Sequence, residues 1–111
     1  TLIDFSLTNS TAAIYSNYVS KRDAKLSSGD IKNHYTAAEC IKGENGAKKI
    51  YTLADGITME VLNQKFYLEE SGDENNYSVC VLFTQGDSHY LFTGDLEISS
   101  WIKQFTKSGV I

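Results

Sequence analysis

The chain has 111 residues and a formal net charge of −4, with 41% apolar and 12% aromatic residues. That length suits one domain rather than two, and the apolar fraction is enough for a core. The acidic balance excludes the basic footprint of a direct nucleic-acid binder, though not an enzyme that reaches a phosphodiester through metal ions. Two cysteines, Cys40 and Cys80, permit one disulfide and no disulfide-rich scaffold. Cys80 falls inside an apolar run, which favours buried free thiols. No apolar run approaches the length of a membrane span. The opening "TLIDFSLTNS" lacks the basic-then-apolar order of a secretory signal. The absence of an initiator Met suggests a processed piece or a cut segment. No proline is present, so no Pro-rich linker is expected.

Residues 10–26 predict a helix, capped by Ser10 or Thr11, with Ile14, Tyr18 and Val19 at helical spacing and Tyr15 beside them. "SSGD" at 27–30 ends it. Residues 31–42 fit a short helix or an edge strand. After the "GENG" turn, residues 47–53 read as a strand. "ADG" reads as a tight reversal, and residues 57–68 as a second strand with Ile57, Met59 and Val61 on one face. "EESGDENN" at 69–76 reads as a solvated acidic loop; it lacks the ligand positions of an EF-hand.

"SVCVLFTQGDSHYLFTG" at 78–94 predicts a hairpin whose strands are apolar on both faces, as expected of strands covered on two sides. Ile98, Trp101, Ile102 and Phe105 then recur at i, i+3, i+4 and i+7, a helix face that Gly109 is placed to end. Trp101 would pack with that face on the hairpin. Asp95 therefore stands at or next to a helix N-cap, where a carboxylate meets free N–H groups and the positive end of the helix dipole. Glu97 reads as a first-turn acid. His89, after a hairpin turn, reads as a surface residue, and His34 lies in an undefined segment. "GENG" and "QGDS" have no phosphate-loop pattern and read as turns.

The string "NNYSVCVLFTQGDSHYLFTGDLE" at 75–97 resembles a segment of the metallo-β-lactamase superfamily, and most closely the branch of competence-type DNA-uptake proteins and related bacterial hydrolases. In that branch an Asn-rich loop leads into a strand of Ser and alternating aliphatics. A second apolar strand follows, ending in Thr-Gly-Asp and then Glu. "IYTLADGITMEVL" at 50–62 is similar to what precedes it there.

The resemblance implies an α/β chain that forms the C-terminal-half region of a four-layer αββα sandwich, residues 1–111 being one domain of a longer hydrolase. It implies that Asp95 is a metal ligand, bridging two zinc or similar divalent ions that activate a water. The superfamily's His-x-His-x-Asp-His signature and its final His ligand segment are absent from this chain. One carboxylate cannot hold a catalytic zinc, which takes about three protein ligands. The expectation is thus a fragment of a dinuclear metal-dependent hydrolase, acting on phosphodiesters in its intact form, with no ion bound and no activity by itself. Its expected partners are the remainder of the parent fold or a second copy meeting its uncovered apolar surface. The competing expectation is a small non-catalytic α+β interaction domain in which Asp95 is only a helix cap.

Overall fold

A computed structural model describes all of residues 1–111. The protein is mixed α/β. Its elements run β1 (Leu2–Asp4), α1 (Ala13–Ser28), β2 (His34–Thr36), α2 (Ala37–Lys42), β3 (Ile50–Ala54), β4 (Ile57–Val61), β5 (Val81–Gln85), β6 (Ser88–Phe92) and α3 (Ile98–Ser108). Single 3-10 turns occupy Lys65–Tyr67 and Glu74–Asn76. Strands β3-β4-β5-β6 form an antiparallel sheet in sequence order, while β1 and β2 pair in parallel beside it.

The ambiguous segment 31–42 is a strand followed directly by a helix. Thr36 makes the change. Its Oγ1 accepts from the Glu39 N–H at 3.2 Å, and Glu39 Oε1 accepts from the Thr36 N–H at 2.9 Å. This reciprocal capping box satisfies two otherwise free donors at the start of a helix only six residues long.

Strand register sorts the sheet into two faces. Tyr51, Met59, Phe83 and Tyr90 align across all four strands, so with Val61, Val81 and Phe92 they share one side. Leu82 and Leu91 align on the other. There α3 lays Phe105 against Leu62, Cys80 and Leu96, with Trp101 at the margin. On the first side α2 and β1 cover only one end, where Val61 packs with Ala37, Cys40, Ala47 and Tyr67. Tyr90 and Phe92 are left 52% and 56% exposed. The hairpin expected to be covered on both faces is therefore covered on one and a half. Its two-sided apolar pattern is present, but nothing in this chain reaches across the β5–β6 end of the first face.

Three bulk quantities agree. Only 11 of 111 residues are buried, which leaves two small clusters rather than one continuous core. The accessible surface is 7103 Å², against about 6,100 Å² for a monomeric protein of 12.3 kDa. The radius of gyration is 14.8 Å, against about 13 Å for this length, in a slab of 39 × 37 × 21 Å.

Other expectations shift. The first helix runs over 13–28, and its N-cap is Ala12 with no side-chain cap, so neither Ser10 nor Thr11 serves. Its inward positions are Tyr15, Val19, Arg22 and Leu26; Ile14 faces solvent, and Tyr18 lies at the edge with its hydroxyl turned in to Asp4. The strand expected over 57–68 stops at Val61. Beyond it Gln64 is drawn into the interior and turns the chain into the 3-10 segment.

Candidate functional site

The Thr93–Glu97 corner is built by two stretches that are separated in sequence and meet in space. Gly94 has φ +58° and lies against Ser78. A Cβ at Gly94 would sit 2.9 Å from both Cβ and Oγ of Ser78, so only glycine fits this turn. Ser78 Oγ donates to the Asn75 carbonyl at 2.8 Å and accepts from the Asp95 N–H at 3.1 Å. Two residues on, the Glu97 N–H donates to Asn76 Oδ1 at 3.3 Å, and between them the Leu96 N–H closes the turn on the Thr93 carbonyl. The side chain of Leu96 plugs into the cluster with Cys80 and Phe105. The Asn loop and the Thr-Gly-Asp turn thus form a single braced unit.

Beneath it lies Gln64, 2% exposed. Its Nε2 donates to the carbonyls of Asn76 and Ser78 at 2.9 and 3.0 Å, and its Oε1 accepts from the Phe66 N–H. A buried amide that satisfies three backbone groups fixes the loop without depending on pH. No signal short of the folded chain marks Gln64, because a lone Gln beside a strand reads as surface. The acidic loop is likewise more than solvated chain. Asp73 Oδ1 accepts from the Asn75 N–H, Glu74 accepts from Thr8 and Asn9, and Asn76 Nδ2 donates to Ser71 Oγ.

Asp95 is exposed, and it does not cap α3. The N-cap position is Glu97, and no side chain accepts from the first turn of the helix. The cap reading of Asp95 is corrected on that geometry. The backbone leaves the strand, makes the Gly94 turn and spends Thr93–Leu96 in that turn before helical angles begin. Asp95 is held instead through its N–H, which leaves its carboxylate uncommitted to the helix. Glu97 carries a carboxyl raised above its ordinary value by a side-chain hydrogen bond with Asp73 and by the repulsion between the two charges.

His89 meets Thr84 Oγ1 near the turn end of the β5–β6 hairpin, at the opposite end of β6 from the corner. His34 pairs with Asp4 at 2.7 Å, well away from the Asp95 turn in the chain's topology. No three His, Cys, Asp or Glu side chains converge to hold a metal ion. The residues present therefore do not by themselves fit a dinuclear centre. Both thiols are fully buried, and burial pushes Cys80 up to about 12. Neither is placed to act as a nucleophile or a metal ligand.

No helix is long and apolar enough to cross a membrane. Comparison with protein-family models, with curated proteins and with solved structures finds no match.

Proposed function

We propose that this chain is part of a metal-dependent hydrolase of the metallo-β-lactamase type, contributing one sheet layer and one metal ligand, Asp95, to a site completed by residues from elsewhere in a larger polypeptide. The carrying observation is the corner. A turn locked by Gly94 and Ser78 presents a carboxylate with no structural duty, at the end of a sheet whose opposite face is apolar and open. A bridging ligand needs that combination, since a carboxylate can reach two ions at once and a rigid backbone keeps it in place.

The half-covered sheet supports the same reading. A slab with a helix on one face and bare aromatics on the other resembles half of a four-layer αββα sandwich. The surface in excess of a monomer's, about 1,000 Å², is on the scale of the roughly 800 Å² that each partner buries in a stable interface. The remainder of the parent fold would cover it. Phosphodiesters, including single-stranded or degraded DNA, are the substrate class of the branch that residues 75–97 resemble. The chain alone is inert on this reading, because its metal cage lacks ligands.

A non-catalytic α+β interaction domain is the second reading. The open apolar face and the lack of converging ligands favour it equally. Metal content of the full polypeptide encoded in frame with this chain separates the two. Under the hydrolase reading, zinc or manganese co-purifies at up to two ions per chain and falls in Asp95→Ala while the protein stays folded. A metal-free wild type, or a metal content that Asp95→Ala leaves untouched, removes the hydrolase reading.

A further inference from the structure

We propose that α1 is a detachable element, held to the body by an ionic latch centred on Asp4, and that it opens and closes as a unit while the four-stranded sheet stays folded.

The grounds are what α1 lacks and what replaces it. The helix has sixteen residues and not one of them is buried. Neither apolar cluster includes any residue between 13 and 28. Its inward stripe is Tyr15, Val19, Arg22 and Leu26, all half-buried, so a cation interrupts the only apolar line it has. Such a stripe gives little hydrophobic docking energy, and a helix with so polar a surface depends on specific bonds to stay in place.

Those bonds converge on one carboxylate. Asp4, at the end of β1, accepts from Tyr18 Oη at 2.6 Å and from Arg22 Nη1 at 3.1 Å, and pairs with His34 Nε2 of β2 at 2.7 Å. The Asp4 and Arg22 side chains are only 14% and 17% exposed, so the pair is shielded from water and from salt. Arg22 also lies over the Tyr18 ring at 5.7 Å and reaches Asp23 through Nε. On either side of the helix the chain is pinned independently of it. Thr8 and Asn9 bond Glu74, and the Leu2 N–H donates to the Asn33 carbonyl. The helix is thus an excursion between two fixed points, and its release need not disturb the sheet.

Protonation tests the latch without mutation. Asp4 faces Tyr18 and Arg22 of α1, with Asp23 behind Arg22, and His34 of β2, with Glu39 of α2 beyond it. Burial pushes the Asp4 carboxyl up, but the bonds from Tyr18, His34 and Arg22 and the charge of His34 outweigh it and hold the group below its ordinary 3.8. Tyr18 is pushed up to about 12 by burial and by Asp4, so it remains a donor. A depressed carboxyl contributes stability above its ordinary value and loses it as pH falls through the folded value. The latch is therefore closed at neutral pH and opens in acid.

Amide hydrogen exchange on the whole chain reads the outcome. Asp4→Asn leaves Arg22 part-buried with only the exposed Asp23 of its own helix as a charge partner, so exchange over 13–28 should rise by about tenfold or more while β4 and β5 stay within about twofold. Adding R22L makes the stripe continuous and should restore protection to α1. Wild-type protein taken from pH 6 toward pH 3 should lose protection in α1 before the sheet. Equal acceleration of helix and sheet in Asp4→Asn, unfolding of the whole variant, no acceleration in α1, or no recovery on adding R22L would each overturn the latch.

Discussion

Gly94→Ala should be among the most damaging single-methyl additions possible in this protein. Alanine at φ +58° costs about 1 kcal/mol as an isolated left-handed residue. Its methyl would also sit 2.9 Å from Ser78 Cβ and Oγ, which belong to a short, backbone-bonded segment and cannot swing away as a flexible side-chain tip would. Moving Ser78 breaks the bonds to the Asn75 carbonyl and from the Asp95 N–H, at about 1 kcal/mol each. The expected loss is about 3 kcal/mol. At about 4–8 °C per kcal/mol for a domain near this size, the midpoint should fall by more than ten degrees. Trp101, the only tryptophan, sits half-buried on α3 beside the Leu96 cluster, so its fluorescence reports urea and thermal unfolding directly. The second half of the test is Ser78→Gly, which removes both the clashing atoms and the bonds and should cost about 2 kcal/mol alone. Because the bonds can be lost only once, the double variant should be no worse than Gly94→Ala, a coupling of about 2 kcal/mol. Simple additivity of the two substitutions, or a Gly94→Ala loss under about 0.5 kcal/mol, would refute the braced corner.

Two further outcomes follow from the core. Phe105→Ala empties the centre of the cluster between α3 and the sheet and should cost about 3–5 kcal/mol in urea titration, whereas a loss below about 1 kcal/mol would mean that α3 is not docked there. Cys80, fully buried with its thiol pushed up to about 12, should resist iodoacetamide at pH 8 in the native protein and label promptly in denaturant; rapid native labelling, followed by mass spectrometry, would contradict its place between sheet and helix.

What could be read from the residues alone was mainly local. Alternation at Ile57, Met59 and Val61, and the Asp55–Gly56 reversal, lead directly to the β3–β4 hairpin, because a strand's faces and a two-residue turn depend on neighbours in sequence. The 3.6-residue spacing from Ile98 to Phe105 likewise yields α3 and its stop at Gly109, but of the expected face only Trp101 and Phe105 turn inward, while Ile98 and Ile102 stay exposed. Boundaries failed where distant groups decide them. Gln64 ends β4 because it bonds carbonyls twelve and fourteen residues on, and no local pattern announces that. The Thr36-x-x-Glu39 box was the one overlooked local signal; it resolves 31–42 into strand and helix. For α1 the expected face of Ile14, Tyr18 and Val19 holds only in part: Val19 and the neighbouring Tyr15 turn inward, Tyr18 reaches in through its hydroxyl alone, and Ile14 faces solvent. Arg22 lies on the true inner stripe, and a cation there is intelligible only once Asp4 is seen opposite.

Asp95 shows why the same Gly-Asp corner invites two interpretations. An aspartate just before a helix is ordinarily a cap, and a cap would spend its oxygens on helix N–H groups and lower its availability to anything else. Here the turn consumes the residues in between, so α3 begins at Ile98 and Asp95 is anchored by its backbone to Ser78. Anchoring through the main chain separates position from chemistry: the Cα is fixed while the carboxylate keeps all its lone pairs. A residue kept only for the fold would gain from capping, since a missing cap costs about 1 kcal/mol at an otherwise bare helix start. The chain forgoes that contribution at α3 and uses a strict glycine, a serine hub and a buried glutamine to hold an uncommitted acid in place. The brace of Gly94, Ser78 and Gln64 stabilises the corner whatever Asp95 does, and under the proposed hydrolase reading the acid it leaves uncommitted is the ligand position.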